Sequence, residues 1–161
     1  MEQLWNYQYL VEKYIDTVYR IALNWLKSSN DADDITQNVM AKLITHKNEF
    51  IDENHIKSWL IRVTINECKS YSHSFWLRNI TSIQKCENSL VFRTPEQSDL
   101  YDAVTDLPGK YRIVIYLYYY EDYSVAEISG LIGVSETAIQ NRLMRARAKL
   151  KKQLKGGWNN D

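Results

Sequence analysis

The chain has 161 residues, with 20 Lys+Arg against 20 Asp+Glu and a formal charge of zero, a sum that by itself argues against a nucleic-acid binder. Its 45% hydrophobic and 25% charged content is that of a folded domain and excludes disorder as the main state, while the length admits one domain or two small ones. No apolar run approaches the roughly 18 to 20 residues that cross a bilayer, and Met1-Glu2-Gln3-Leu4-Trp5 lacks the pattern of a signal peptide, so a cytoplasmic protein is expected.

With five glycines and two prolines, most of the chain reads as helical. Leu4 to about Lys27 carries Leu10, Tyr14, Val18, Ile21 and Trp25 at steps of three and four, the signature of one buried helical stripe. Asn30 then begins an Asp-rich stretch, Asp31, Asp33 and Asp34, that opens a second helix, where side-chain oxygens can accept orphan amides and favour the positive dipole end. Ile35, Val39, Leu43 and later Phe50 read as its inner face. A third helix is predicted from about His55 to Phe75, with Ile56, Leu60 and Val63 on one side and Arg62, Asn66, Lys69 and His73 on another. Trp59 and Trp76 flank that polar face, and Asn66 inside a helix carries a mild propensity cost, so the face reads as a working surface. Cys68 and Cys86 show no CxxC or HxxxH spacing and read as reduced, half-buried thiols, with no metal and no cofactor expected.

From Leu77 to Ser98 the periodicity is lost among Asn79, Thr81, Ser82, Asn88, Ser89, Thr94 and Pro95, which marks a flexible linker. The expected layout is therefore all-α: a helical domain over 1–76, a linker over 77–98, a second helical module over 99–155 and a tail over 156–161. In the second module the run Ile113 to Tyr120 is so rich in β-branched and aromatic residues that propensity alone predicts a strand. Its context favours a core helix. Ser124-Val125-Ala126-Glu127 is a capping box, Gly133 permits a tight turn and Ser135 can cap a new helix, together a helix-turn-helix in a four-helix-type module. The new helix buries Ile139, Leu143, Ala146 and Leu150, so that Thr137, Asn141, Met144, Arg145, Ala148 and Lys152 point the other way, with Gln140 and Arg142 on the flanks.

Counted by block, the zero charge is a sum of opposed patches. Arg142 to Lys155 holds seven basic residues and no acidic one, and Asp99 to Glu136 seven acidic against two basic. Lys57 to Lys85 holds five basic residues against Glu67, and Asp31 to Glu53 six acidic against two basic. Two basic helix faces in separate modules, one of them in a helix-turn-helix, suit phosphate backbones, and the acidic blocks suit a basic protein partner.

Three stretches in order carry a family resemblance: Asn30 to Met40, Ser58-Trp59-Leu60-Ile61-Arg62-Val63-Thr64-Ile65-Asn66, and Leu107-Pro108 through Leu150 with Tyr123 to Ile128, Gly133-Val134-Ser135 and Arg142 to Arg147. Together they resemble a bacterial RNA polymerase sigma factor of the small, two-domain extracytoplasmic-function group. The resemblance implies a non-catalytic initiation subunit. It implies that Asp34, Gln37 and Asn38 dock on the clamp helices of the polymerase's largest subunit, with a further contact to the flap. It assigns Trp59, Arg62, Asn66 and Lys69 to the minus-ten element, Asn66 capturing a base flipped from the non-template strand. It assigns Thr137, Gln140, Asn141, Arg142, Met144 and Arg145 to the minus-thirty-five element, where Gln140 and Asn141 can pair with adenine and Arg145 with guanine, while Arg142, Arg147 and Lys149 favour phosphates. An anti-sigma factor, often membrane-bound, is the implied regulator, and no small-molecule substrate is implied. Gln140, Asn141 and Met144 stand where the family commonly has Lys or Arg, Ser, and an aromatic or His, and Asn38 and Met40 replace Glu and Phe, which implies an altered promoter preference and a modest change in core affinity.

Other classes fit less well. His46, His55 and His73 lie at no catalytic spacing from Ser, Cys or acidic residues, and there is no Gly-rich phosphate loop. A helix-turn-helix regulator acting without polymerase is the main rival; a receiver domain would need alternating strands and helices that residues 1–76 lack. A sequestering adaptor using the tyrosine-rich segment as its surface is the third.

Overall fold

A computed structural model describes residues 4–46, 49–78 and 95–157. Among these residues the architecture is all-α, and the chain divides into two compact units, Met1–Cys86 and Glu87–Asp161.

The first unit is a three-helix packing of α1 (Tyr7–Leu26), α2 (Ser29–Thr45) and α3 (Glu53–Arg78), in which each helix touches the other two. Asn6 starts α1 by accepting the Tyr9 amide at 3.1 Å, and the predicted stripe Leu10, Tyr14, Val18 and Ile21 is buried while Trp25 is half-buried. The start of α2 differs from the expectation. Ser28, not an Asp or Asn, is the cap, its hydroxyl accepting the Asp31 amide at 3.2 Å. That frees Asp31 to accept the Tyr71 hydroxyl at 2.6 Å, tying the start of α2 to α3. Phe50 does not continue the inner face of α2, which ends at Thr45; it is buried from the connection between α2 and α3.

α3 is longer than predicted and buried on a broader front. Ile61 and Ile65 are fully buried beside Ile56 and Leu60, whereas Val63 is only half-buried. Thr64 lies among them because its hydroxyl donates to the Leu60 carbonyl at 2.6 Å, satisfying the one polar group its burial would strand. Cys68 is fully buried rather than half-buried. Helix occupies both ends of the expected linker, since α3 reaches Arg78 and α4 starts at Pro95; the rest of it, Cys86, the side chains of His73 and Trp76, and residues 158–161 of the tail lie outside the described residues.

The second unit comprises α4 (Pro95–Asp106), α5 (Gly109–Ile115) continued by a π-turn (Tyr116–Tyr120), α6 (Val125–Ile132) and α7 (Glu136–Gly157), with α7 packed against α4, α5 and α6. The run that propensity alone assigns to a strand is helical because Ile113, Val114, Ile115, Tyr116 and Leu117 are all buried, and tertiary burial outweighs an intrinsic preference of about 1 kcal/mol. Its last turn is wider than an α-turn. The Glu121 amide reaches the Tyr116 carbonyl five residues back at 3.2 Å, and the Tyr116 hydroxyl donates to Glu121 Oε1 at 3.0 Å. Arg112, 4% exposed, turns its guanidinium to the carbonyls of Leu107 and Thr105, so a buried cation closes the end of α4.

Candidate nucleic-acid interface

In the second unit the helix-turn-helix forms as the sequence predicts. Ser124 accepts the Glu127 amide at 3.1 Å and Glu127 accepts the Ser124 amide at 3.0 Å, a complete capping box. That bond set, with the Ser124 amide first among its causes, holds the Glu127 carboxyl below its ordinary value. Gly133 ends α6 in the left-handed region at φ 83°, and the Ser129 hydroxyl donates to the Val134 carbonyl at 2.5 Å, fastening the turn. Ser135 caps α7 by accepting the Ala138 amide at 3.1 Å.

This turn and the burial of Ile139, Leu143 and Ala146 fix the rotation of α7. Thr137, Gln140, Asn141, Met144 and Arg145 are consequently exposed and Arg142 is half-buried, so all six side chains expected at the minus-thirty-five element lie on or beside the outward face. Leu150, expected in the core, is only half-buried. Met144 is 58% exposed, an apolar tip between amides and guanidinium, as contact with a thymine methyl requires. Arg145, Arg147, Lys149, Lys151 and Lys152 are exposed and make the face basic.

Sequence reasoning missed how these cations are held. Arg147 Nε donates to the Tyr119 hydroxyl at 2.8 Å, and its guanidinium carbon lies 5.4 Å from the Tyr118 ring centre and 5.6 Å from that of Tyr119. A hydrogen bond from Arg145 lowers the Tyr111 phenol below its ordinary value, and Lys149 Nζ lies 5.9 Å from the same ring. No spacing signals these pairs, because the partners lie on different helices; the density of tyrosines opposite a basic helix is the one available clue.

In the first unit Arg62, Asn66 and Lys69 are exposed along one face of α3, with Trp59 half-buried on the same line one turn before Arg62. The Trp59 ring is held edge-on by His46 at 4.7 Å and Phe50 at 5.5 Å between ring centres, with His55 against Phe50 at 5.4 Å. The exposed surface thus runs from an ordered aromatic cluster to two cations, with an amide between them. Glu67 faces α2, where it pairs with Lys42, and so keeps its charge off that line.

Asp34, Gln37 and Asn38 are exposed on α2, opposite buried Ile35, Val39 and Leu43. Asp33 is exposed beside them, while Asp31 is engaged by Tyr71, so part of the acidic stretch serves the fold and part faces outward. Among the described residues no group of three or more His, Cys, Asp or Glu side chains could hold a metal ion, and no helix is long and apolar enough to cross a membrane.

Comparison with known proteins divides the chain in the same way. The model of Sigma-70 region 2 matches residues 10–74 and that of Sigma-70, region 4 matches residues 97–150. The ECF RNA polymerase sigma factor SigM of Bacillus subtilis is 26% identical over 161 residues, covering 94% of this chain and 97% of that relative. RNA polymerase sigma factor SigV of the same organism is 26% identical over 143 residues, covering 84% and 83%. Among solved structures, the fold is similar to that of the sigma factor RpoE in complex with the anti-sigma factor NepR from Bartonella quintana, with a TM-score of 0.77 at 19% identity over 94% of this chain and 98% of that one. It is also similar to CnrH in complex with the cytosolic domain of CnrY, with a TM-score of 0.65 at 22% identity over 93% and 88%.

Proposed function

The chain belongs to the extracytoplasmic-function sigma factors, with sigma-70 regions 2 and 4, and we propose a division of labour between its two units. A sigma factor is a non-catalytic initiation subunit that directs RNA polymerase to promoters. In this proposal residues 1–76 of the first unit bind core polymerase and melt the minus-ten element, and residues 99–155 of the second read the minus-thirty-five element. Asp34, Gln37 and Asn38 meet the clamp helices of the largest subunit, an acidic and amide-rich face against a basic one. Arg62 and Lys69 hold phosphates of the opened strand, Asn66 takes up the edge of an extruded base, and the cluster around Trp59 offers a stacking wall. α7 enters the major groove, where Gln140 and Asn141 suit adenine, Arg145 guanine and Met144 a thymine methyl.

One observation carries the reading: a capped helix-turn-helix presents Thr137, Gln140, Asn141, Met144 and Arg145 together on the exposed face of a helix rotated by its own buried stripe. No cofactor or small-molecule substrate enters this function, and its setting is the cytoplasm. RpoE and CnrH occur in complexes with NepR and with the cytosolic domain of CnrY; by analogy an anti-sigma factor, membrane-bound or free, is proposed to regulate this chain by covering the same faces. Run-off transcription with purified core polymerase on genomic fragments tests the proposal. The expected result is promoter-specific initiation that core alone does not give. Binding to DNA as a free dimer, with no gain in initiation by core, would assign the chain to polymerase-independent regulators instead.

A further inference from the structure

Among the described residues of the second unit, Tyr116–Tyr120 form a π-turn, and it faces the basic helix. π-turns are rare and concentrate at functional sites. This one reduces the rotation between consecutive residues below the 100° of an α-helix, so that neighbours Tyr118 and Tyr119 both reach the same side chain on α7. Their rings meet nearly at right angles, 76° between planes with centres 5.0 Å apart, and form a corner. Arg147 lies in that corner, its Nε spent on the Tyr119 hydroxyl at 2.8 Å. The two Nη groups keep the donors that a bidentate contact with an oxyanion uses.

Position on α7 identifies the oxyanion. Arg147 stands two turns beyond Gln140 on one line of the helix and one turn beyond Met144, flanking the residues placed to read bases. A cation at that distance from the reading positions meets the sugar-phosphate backbone rather than a base edge. The surrounding stretch, Arg142 to Lys155, carries no acidic residue to compete. Tyr118 is half-buried while Tyr119 is 52% exposed, so the corner has one wall partly set into the unit and one reachable from solvent.

We propose that Tyr118 and Tyr119 are positioning residues that hold the Arg147 guanidinium as a preformed clamp for one DNA phosphate beside the reading face of α7. Because the arginine is ordered on folding, less rotamer freedom is lost when DNA binds. The inference rests on the reading of α7 as the DNA-facing helix.

The test uses holoenzyme assembled from core polymerase and the full chain, wild type or carrying Y119F, R147Q or both. Its probes are a promoter fragment recovered by run-off transcription and a scrambled duplex of equal length, each measured across a salt series. R147Q is expected to lower the slope of log affinity against log salt by about 0.9, the share of one phosphate. Y119F keeps the ring and removes the hydroxyl; it is expected to weaken binding by about threefold to tenfold on both duplexes, leaving promoter preference unchanged. Added to R147Q it should do nothing more, and its melting temperature should match the wild type. Independent losses in the double variant, an unchanged affinity for either single variant, or tighter binding by Y119F would each overturn the clamp, the last by showing that the tyrosines hold Arg147 away from DNA. A wild-type holoenzyme without promoter preference would sink the promoter reading, while the coupling between Tyr119 and Arg147 would still be read on the scrambled duplex.

Discussion

On the proposed reading, replacing Asn66 by alanine should separate melting from binding. Asn66 is exposed on the middle of α3, with Ile65 buried beside it and Thr64 behind. Truncation therefore opens no cavity, and replacing asparagine by the best helix former favours the helix by about 0.5 kcal/mol. The melting temperature should hold or rise slightly. An amide that captures an extruded base contributes about 1 to 3 kcal/mol of hydrogen bonding, available only after the base has left the stack. Its loss should reduce the open-complex equilibrium by about fivefold to 150-fold, with closed binding within about twofold. Permanganate reactivity of unpaired thymines at 37 °C reports the open complex, and filter retention at low temperature the closed one. Equal losses at both stages would refute base capture and leave Asn66 as an ordinary surface contact; a fall in melting temperature would refute the claim that its side chain is structurally idle.

Three further expectations follow from local structure. Gly130 and Gly133 both have open space where a Cβ would stand, yet only Gly133 has positive φ, so Gly130→Ala should stabilise the second unit by about 0.5 to 1 kcal/mol and Gly133→Ala destabilise it by about 1 to 2; thermal unfolding giving both the same sign would contradict this. Glu127 has its carboxyl pKa lowered by the capping box, so its contribution is complete above the ordinary value of 4.5 and is lost as pH falls through the depressed value. The second unit of a Glu127→Gln variant should accordingly lose less stability than the wild type between neutral pH and acid, as followed by circular dichroism. Burial, with the Glu67 charge second, raises the Cys68 thiol to about 12; in a Cys86→Ser background it should resist a thiol reagent at pH 8 until denaturant is added, and rapid native labelling would contradict the packing of α3.

Much of the fold was legible because it follows from period alone. Leu10, Tyr14, Val18 and Ile21 announce α1, and Ile139, Leu143 and Ala146 announce both α7 and, by subtraction, its exposed face. Local chemistry was legible too: Ser124 and Glu127 cap α6 and Gly133 turns the chain, as their types and spacing require. What stayed hidden depends on neighbours distant in sequence. Phe50 matches the phase of α2, yet α2 stops at Thr45 and the ring is recruited from the connection by Trp59 and His55. Asp31 looks like a cap, but Ser28 takes that place and Tyr71, forty residues on, claims the carboxylate. Ile61 and Ile65 are buried beyond the single stripe because both α1 and α2 pack on α3. The same reason hid Tyr118 and Tyr119: only the wide turn and the approach of α7 bring them to Arg147.

The neutral total charge gains a physical sense from this arrangement. Had the cations of α7 and α3 been matched by a large net positive charge, the free chain would be held on DNA at random by counterion release, whatever the sequence beneath it. Here the acidic stretches at Asp31 to Glu53 and Asp99 to Glu136 offset the long-range field, which decays over about 10 Å at moderate salt, without touching the short-range chemistry of the exposed faces. On the proposed reading, core polymerase covers the acidic face of α2 and removes part of that offset. It also tethers both basic faces, so that binding at one promoter element raises the effective concentration of the other face at its own. Selectivity for promoters then depends on two individually weak contacts made together, which free chain cannot supply and which an anti-sigma factor need block on only one side.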